Sequence, residues 1–259
     1  MKLVFITGAS SGLGQELAWY YYQEGCTLAL VARRVQETLQ WAQNQGMDTQ
    51  RFEVYGADVA DVQSIVTAGQ HCMQRQGVPD IVIASAGFST GMDTAERSDL
   101  DLMARMFATN NVGMAATFHP FIQSMVQRGS GVLVGIASVH GIRGMPGHGA
   151  YCASKSGVIS YCESLRGELR ASGVKVVTIS PGYIATPLTQ ANNYSMPFLI
   201  PASEFAQKAA AAIDAGCSYR VIPWQMGVVA KLLRVLPNAL FDRLFAGRPR
   251  KARKPQKGD

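Results

Sequence analysis

The chain is poor in charge and in organised cysteine, and each shortage closes off a class of protein. Charged residues make up only 16% of 259 positions, against 47% hydrophobic residues, which is the balance of a globular protein and not of a disordered one. The five cysteines, Cys26, Cys72, Cys152, Cys162 and Cys217, are odd in number, scattered and free of any C-x-x-C spacing, which argues against a disulfide framework or a zinc site. The four histidines also lack ligand spacing, so no metal is expected. No apolar run reaches the roughly 18 residues that a membrane span requires. Met1 and Lys2 lead straight into Leu3–Ile6, leaving no room for a signal peptide. A cytoplasmic protein, soluble or peripherally bound, is the expectation. With no internal repeat and no break in composition, a chain of this length is expected to fold as one domain.

The net charge of +6 is not spread evenly. From Gly247 to Asp259 the chain holds Arg248, Arg250, Lys251, Arg253, Lys254 and Lys257 against one acid, so this tail supplies all but one unit of the total. The tail is expected to be disordered, and the body before it is close to neutral.

What is present is an alternation of short β-branched apolar runs with helical patterns, the sign of an α/β protein with a parallel sheet. The first run, residues 2–7, stops at Thr7-Gly8-Ala9-Ser10-Ser11-Gly12-Leu13-Gly14 and a helical pattern follows. In that setting Gly8 permits a sharp turn, Gly12 lets the backbone approach a diphosphate, and Gly14 lets the helix lie close to the strand, with its N-terminus facing the anion. The second strand, Thr27–Ala32, ends in Arg33-Arg34 where dinucleotide folds meet the adenosine ribose. An acid there would select a free hydroxyl. An arginine accommodates a 2′-phosphate, so NADP(H) is expected over NAD(H).

Further strands are expected at 51–56, 80–83, 131–137, 174–180 and 220–222, with one long helix over 100–127. Ser138 falls at the carboxyl end of a strand, where open α/β sheets place ligands. Downstream, Tyr151 and Lys155 are one helical turn apart on one face. A fixed ammonium beside a phenol favours the phenolate and brings tyrosine toward working range as a proton-transfer group. The segment 188–201 reads as a lid over the sheet edge.

Thr7-Gly8-x-x-x-Gly12-x-Gly14, Asp58-Val59, Asn110, Ser138, Tyr151-x-x-x-Lys155 and Pro181-Gly182 with Thr186 occur in an order and at separations that resemble the classical short-chain dehydrogenase/reductase family over residues 2–222. Two positions depart from it: Ala84-Ser85 stand where the family usually has asparagines, and Ser11 where many NADP-dependent members carry a basic residue. The resemblance implies a single-domain Rossmann-like doubly wound sheet of about seven strands with helices on both faces. It also implies a homodimer or homotetramer interconverting a carbonyl and an alcohol. Tyr151 would exchange a proton with the substrate oxygen, Ser138 would polarise the carbonyl, and Lys155 would lower the tyrosine pKa and hold the nicotinamide ribose. Asn110, preferred over its neighbour Asn111, would hold a water linking Lys155 to solvent. Cofactor contacts are implied for Gly8, Ser10, Ser11, Gly12, Leu13, Gly14, Arg33, Asp58, Val59, Ala86, Gly87, Tyr151, Lys155, Pro181, Gly182, Ile184 and Thr186. A nucleotide-sensing or scaffold protein without chemistry is the alternative, and an intact Asn, Ser, Tyr and Lys set speaks against it.

Residues 223–246 are expected to form a C-terminal helical extension with wide apolar faces, broken by Pro237. Two readings compete for it: a cap over the substrate pocket or a subunit interface, and an anionic membrane surface bound by residues 223–259 on the inner face of a membrane. Both suit a hydrophobic or lipid-like substrate. No nucleic-acid module accompanies the basic residues.

Overall fold

A computed structural model of the chain describes residues 1–190 and 195–247. Its first half alternates β1 (Leu3–Thr7), α1 (Gly12–Gln23), β2 (Thr27–Ala32), α2 (Val35–Asn44), β3 (Phe52–Gly56), α3 (Val62–Arg75) and β4 (Ile81–Ala84). There follow α4 (Arg97–Phe107), a π turn (Ala108–Val112), α5 (Gly113–Arg128), β5 (Gly131–Ile136), a 3₁₀ turn (Val139–Gly141), α6 (Gly149–Glu168) and β6 (Val174–Pro181). The chain continues through β7 (Ile184–Ala185), α7 (Pro187–Gln190), β8 (Ile200–Pro201), α8 (Ala202–Asp214), β9 (Tyr219–Ile222), α9 (Trp224–Val235) and α10 (Asn238–Phe245).

Seven strands pair in parallel in the order β3-β2-β1-β4-β5-β6-β9. Alternate side chains of β1 feed two cores, because successive residues of a strand point to opposite faces. Val4 and Ile6 pack with Leu17 and Ala18 of α1 and with Phe205, Ala209 and Ile213 of α8. Leu3 and Phe5 pack with Ile65 of α3, Phe118 and Phe121 of α5 and Val158 of α6, Phe5 meeting Phe121 edge-on at 4.8 Å. Each of the larger of these side chains contributes about 1.5–3 kcal/mol by leaving water. The strand order reverses between β1 and β4, and there the carboxyl ends of the strands open a crevice.

The single helix expected over 100–127 is instead two helices joined by the π turn. The wider turn swings Asn110 inward and seats Gly113 against the carbonyl of Val59, where a Cβ would lie 2.5 Å from the oxygen. Apolar periodicity runs through both helices and does not register the inserted residue. The segment read as a lid is pinned at both ends, since β7 and β8 pair in parallel through Ile184–Ile200 and Ala185–Pro201. Its centre, residues 191–194, and the basic tail beyond Gly247 lie outside the described residues. Among those described, no helix is long and apolar enough to cross a membrane.

Candidate active site

A cleft of about 720 Å³ lies along the carboxyl ends of β1, β2, β4, β5 and β6. At its base the β1–α1 turn is shaped by close approach. Gly8, at φ 72°, lies against the backbone of Ala86, which a Cβ would reach at 2.9 Å, and a Cβ on Gly14 would stand 2.5 Å from the Gly8 carbonyl oxygen. Thr7 ties the turn to the neighbouring strand end, its Oγ1 accepting from the amides of Ser85 and Ala86 at 3.2 and 3.3 Å. These contacts hold the segment in which Ala84-Ser85 depart from the family pattern. Ser11 precedes α1 in extended conformation and makes no side-chain cap, so the first-turn N–H groups are open toward the cleft.

Two arginines flank the outer end. Arg33 Nη1 lies 3.5 Å from Asp58 Oδ2, and Arg34 Nη2 donates to Ser10 Oγ at 3.1 Å while Nη1 pairs with Glu37 at 3.0 Å. Both line the cleft. Sequence reasoning assigned a cofactor contact to Arg33 and none to Arg34, whose contact with the glycine turn is a tertiary fact.

The inner end gathers Ser138, Tyr151 and Lys155. Ser138 lies two residues past β5 in extended backbone, and its Oγ accepts from the His140 amide at 3.2 Å. Burial pushes the Tyr151 phenol up to about 12, while a hydrogen bond with Ser138 pulls the other way. Lys155 donates to the Ile136 carbonyl at 2.8 Å and is brought down to about 8 by burial. Its ammonium is 6.0 Å from the Tyr151 ring centroid. The expected lowering of the tyrosine by Lys155 is therefore not expressed in this arrangement: desolvation dominates, and the ammonium points to a backbone carbonyl.

Every residue for which a cofactor contact was expected lines this cleft. Asn110 does not. It sits behind the wall, Nδ2 donating to the Phe88 carbonyl at 3.2 Å and to Ser154 Oγ at 3.0 Å, and Oδ1 accepting from the Phe88 amide at 3.1 Å. A Cβ on Gly87 would stand 3.0 Å from Asn110 Oδ1 and 3.5 Å from Lys155 Nζ, so glycine lets these two side chains converge. Asn111 donates to the Ser154 carbonyl at 2.8 Å. The pair thus stitches the π turn to α6 through Ser154, which sits between Tyr151 and Lys155 and is fully buried.

Two further features border the site. His140 places Nδ1 3.4 Å from Ser138 Oγ, stacks on His148 at 5.4 Å and tilts over Tyr151 at 5.9 Å. Among the described residues no group of three or more metal-binding side chains forms around them. Gly182 abuts Met226 of α9, which a Cβ would meet at 2.7 Å, so it joins the C-terminal extension to the cleft wall. A motif signal marked Gly182; its packing partner was too distant in sequence to be inferred.

Residues 2–196 match the family described as short chain dehydrogenase. The chain is 35% identical over 248 residues to an uncharacterized oxidoreductase of Myxococcus xanthus, across 93% of this chain and 95% of that one. It is 31% identical over 269 residues to dehydrogenase/reductase SDR family member 7B of Bos taurus, across 97% of this chain and 82% of that one. Among solved structures, a variant of the actinorhodin polyketide ketoreductase with NADPH superposes with a TM-score of 0.77 at 26% identity, across 87% of this chain and 97% of that one.

Proposed function

The chain belongs to the short-chain dehydrogenase family and is an oxidoreductase of that type, and from this premise we propose that it interconverts a carbonyl and an alcohol using NADP(H) in preference to NAD(H). The observation that carries the reading is the convergence of Ser138 and Tyr151 at the inner end of the cleft, close enough for Ser138 to favour the phenolate, with the buried ammonium of Lys155 on the same wall.

The residues present fit a dinucleotide. A turn with no room for a Cβ at Gly8 or Gly14 and the open N-terminus of α1 suit a diphosphate. Arg33 and Arg34, with Ser10 between them and the turn, suit a 2′-phosphate. Asp58 and Val59 would meet the adenine end. Ala86, Gly87, Pro181, Gly182, Ile184 and Thr186 would border the nicotinamide end. When bound, the dinucleotide supplies or takes up a hydride at the substrate carbon.

In the reductive direction Ser138 donates a hydrogen bond to the substrate carbonyl oxygen, and Tyr151 gives its phenolic proton to that oxygen as negative charge develops. A phenol held near 12 stays protonated at neutral pH and is suited to act as the acid. Lys155, still mostly protonated at pH 7, has to turn from the Ile136 carbonyl toward the phenol during the reaction, and in that position it stabilises the phenolate left behind. Asn110 braces this arrangement through Ser154 and would hold a water linking Lys155 to solvent, its Oδ1 keeping an acceptor position beyond the one used by the Phe88 amide. An apolar substrate, a homodimer or homotetramer, and a cytoplasmic or peripheral site complete the proposal. The one-domain boundary at residue 222 and the separate extension belong to it too. A scaffold without chemistry is the less favoured alternative, since matched relatives are named as oxidoreductases.

NADPH oxidation measured against ketones, aldehydes and long-chain carbonyls is expected to reveal turnover, and a panel without any turnover would sink the reading. Its pH profile is a second expectation. Lys155 titrates near 8, and its charge is held below that value and lost above it. Carbonyl reduction should therefore be level below about pH 7.5 and fall about tenfold per unit above about pH 8.5, as expected for a single required protonated group. A level rate up to pH 10 would remove Lys155 from the mechanism.

A further inference from the structure

The α9–α10 pair carries two unlike faces. On the inner face Met226 and Ala230 of α9 pack with Val139, Ile142 and Tyr183, so α9 leans on the wall that holds Ser138 and His140. Arg143, two residues past the 3₁₀ turn, clasps the corner between the helices. It donates to the carbonyls of Arg234 and Leu236 at 2.9 and 3.0 Å and to Asn238 at 3.0 Å, and its guanidinium lies 4.2 Å over the Phe241 ring.

The outer face is apolar and bare. Trp224, Val228, Leu232 and Val235 are 67, 48, 63 and 79% exposed, and Leu240 and Leu244 of α10 are 55 and 49% exposed. Spacings of four, four and three residues put the four α9 side chains on one side of the helix. Of the sixteen strongly exposed large apolar side chains among the described residues, six fall between Trp224 and Leu244. Such side chains scattered singly carry no meaning, whereas a cluster on one helical hairpin marks a surface that is covered by something.

The charge around the stripe identifies the cover. Lys231, Arg234 and Arg243 are exposed beside it against one acid, Asp242. The chain then continues past Gly247 with six lysines and arginines and a single acid, Asp259. We propose that this face docks on an anionic lipid bilayer, with Trp224, Leu232 and Val235 entering the interface and the basic residues meeting lipid phosphates. An apolar helix face alone gives reversible binding, and an adjoining polybasic segment is the second signal that makes it stable. Docking stands on the hairpin and the basic residues that follow it, whatever the chemistry of the cleft. Its service to the cleft, bringing a bilayer-dissolved carbonyl to the wall that α9 and Arg143 support, rests on the oxidoreductase reading.

The full-length protein is tested by co-sedimentation with vesicles of phosphatidylcholine alone and of phosphatidylcholine with an equal part of phosphatidylglycerol. Binding is expected to be roughly tenfold or more stronger on the anionic vesicles and to weaken as salt screens the lipid charge. The double variant Leu232→Asp/Val235→Asp should lose roughly tenfold or more of that binding while keeping its melting temperature and its reduction of a water-soluble aldehyde. Equal binding to both vesicle types, or binding untouched by the two aspartates, would overturn the proposal. So would vesicle-free parent protein whose oligomer, followed by light scattering, falls apart in the double variant; the face would then join copies of the chain. Loss of aldehyde reduction in the parent itself would count against the oxidoreductase reading and leave the vesicle result standing.

Discussion

Replacing Tyr151 with phenylalanine is expected to lower the turnover number for carbonyl reduction by about 10²–10⁴-fold, the range that one positioned proton donor contributes, while NADPH binding stays nearly intact. The ring remains to pack against His140, and only the hydroxyl that meets Ser138 is lost. A net hydrogen bond contributes about 0.5–1.5 kcal/mol to stability, too little to unfold a domain with a core on each face of its sheet. The loss therefore reads out chemistry and not folding, provided NADPH binding, followed by fluorescence or calorimetry, is measured on the same preparation. Turnover at the parental rate would mean that the proton comes from elsewhere, and the role proposed for the Ser138–Tyr151 pair would fail.

The second large effect concerns the other end of the cleft. Arg33→Ala is expected to weaken NADPH by roughly tenfold to a hundredfold, the equivalent of one hydrogen bond to a charged group at about 1.5–3 kcal/mol, and to leave NADH nearly unchanged. Its partner in the structure is no obstacle to this reading, because an exposed pair 3.5 Å apart contributes little by itself and leaves the guanidinium available to a phosphate. Arg34→Ala should act in the same sense through Ser10, and the discrimination should shrink as ionic strength rises. Equal losses for the two dinucleotides would remove both arginines from the selection.

Much of the site could be read from the sequence because its pieces are local. A strand, a glycine turn and a helix come within twelve residues of Leu3, and the reason for each glycine is steric, so Gly8 and Gly14 stand where expected, with backbone in the space a Cβ would take. Ser138 follows an apolar strand, and Tyr151 and Lys155 share one helical face; both facts follow from backbone periods of two and 3.6 residues. The choice between Asn110 and Asn111 was of another kind. It turned on a π turn that changes the direction of one side chain without disturbing the hydrophobic pattern on either side, and both asparagines proved to be braces for α6.

The sequence by itself determined the parallel doubly wound sheet and the glycine turn, because short-range steric and periodic rules specify them, and it marked the Ser, Tyr and Lys set through the resemblance to the family. Only the tertiary structure decided how charge and solvent act on those groups. Tyr151 was expected to be lowered by Lys155 and is instead raised by burial, since desolvation depends on everything packed around a group and not on its neighbours in the chain. The same holds for the last helices. Periodicity announces that a helix has an apolar face but not what that face meets, and here α9 has two: Met226 and Ala230 packed on the cleft wall, and Trp224, Val228, Leu232 and Val235 turned to the outside.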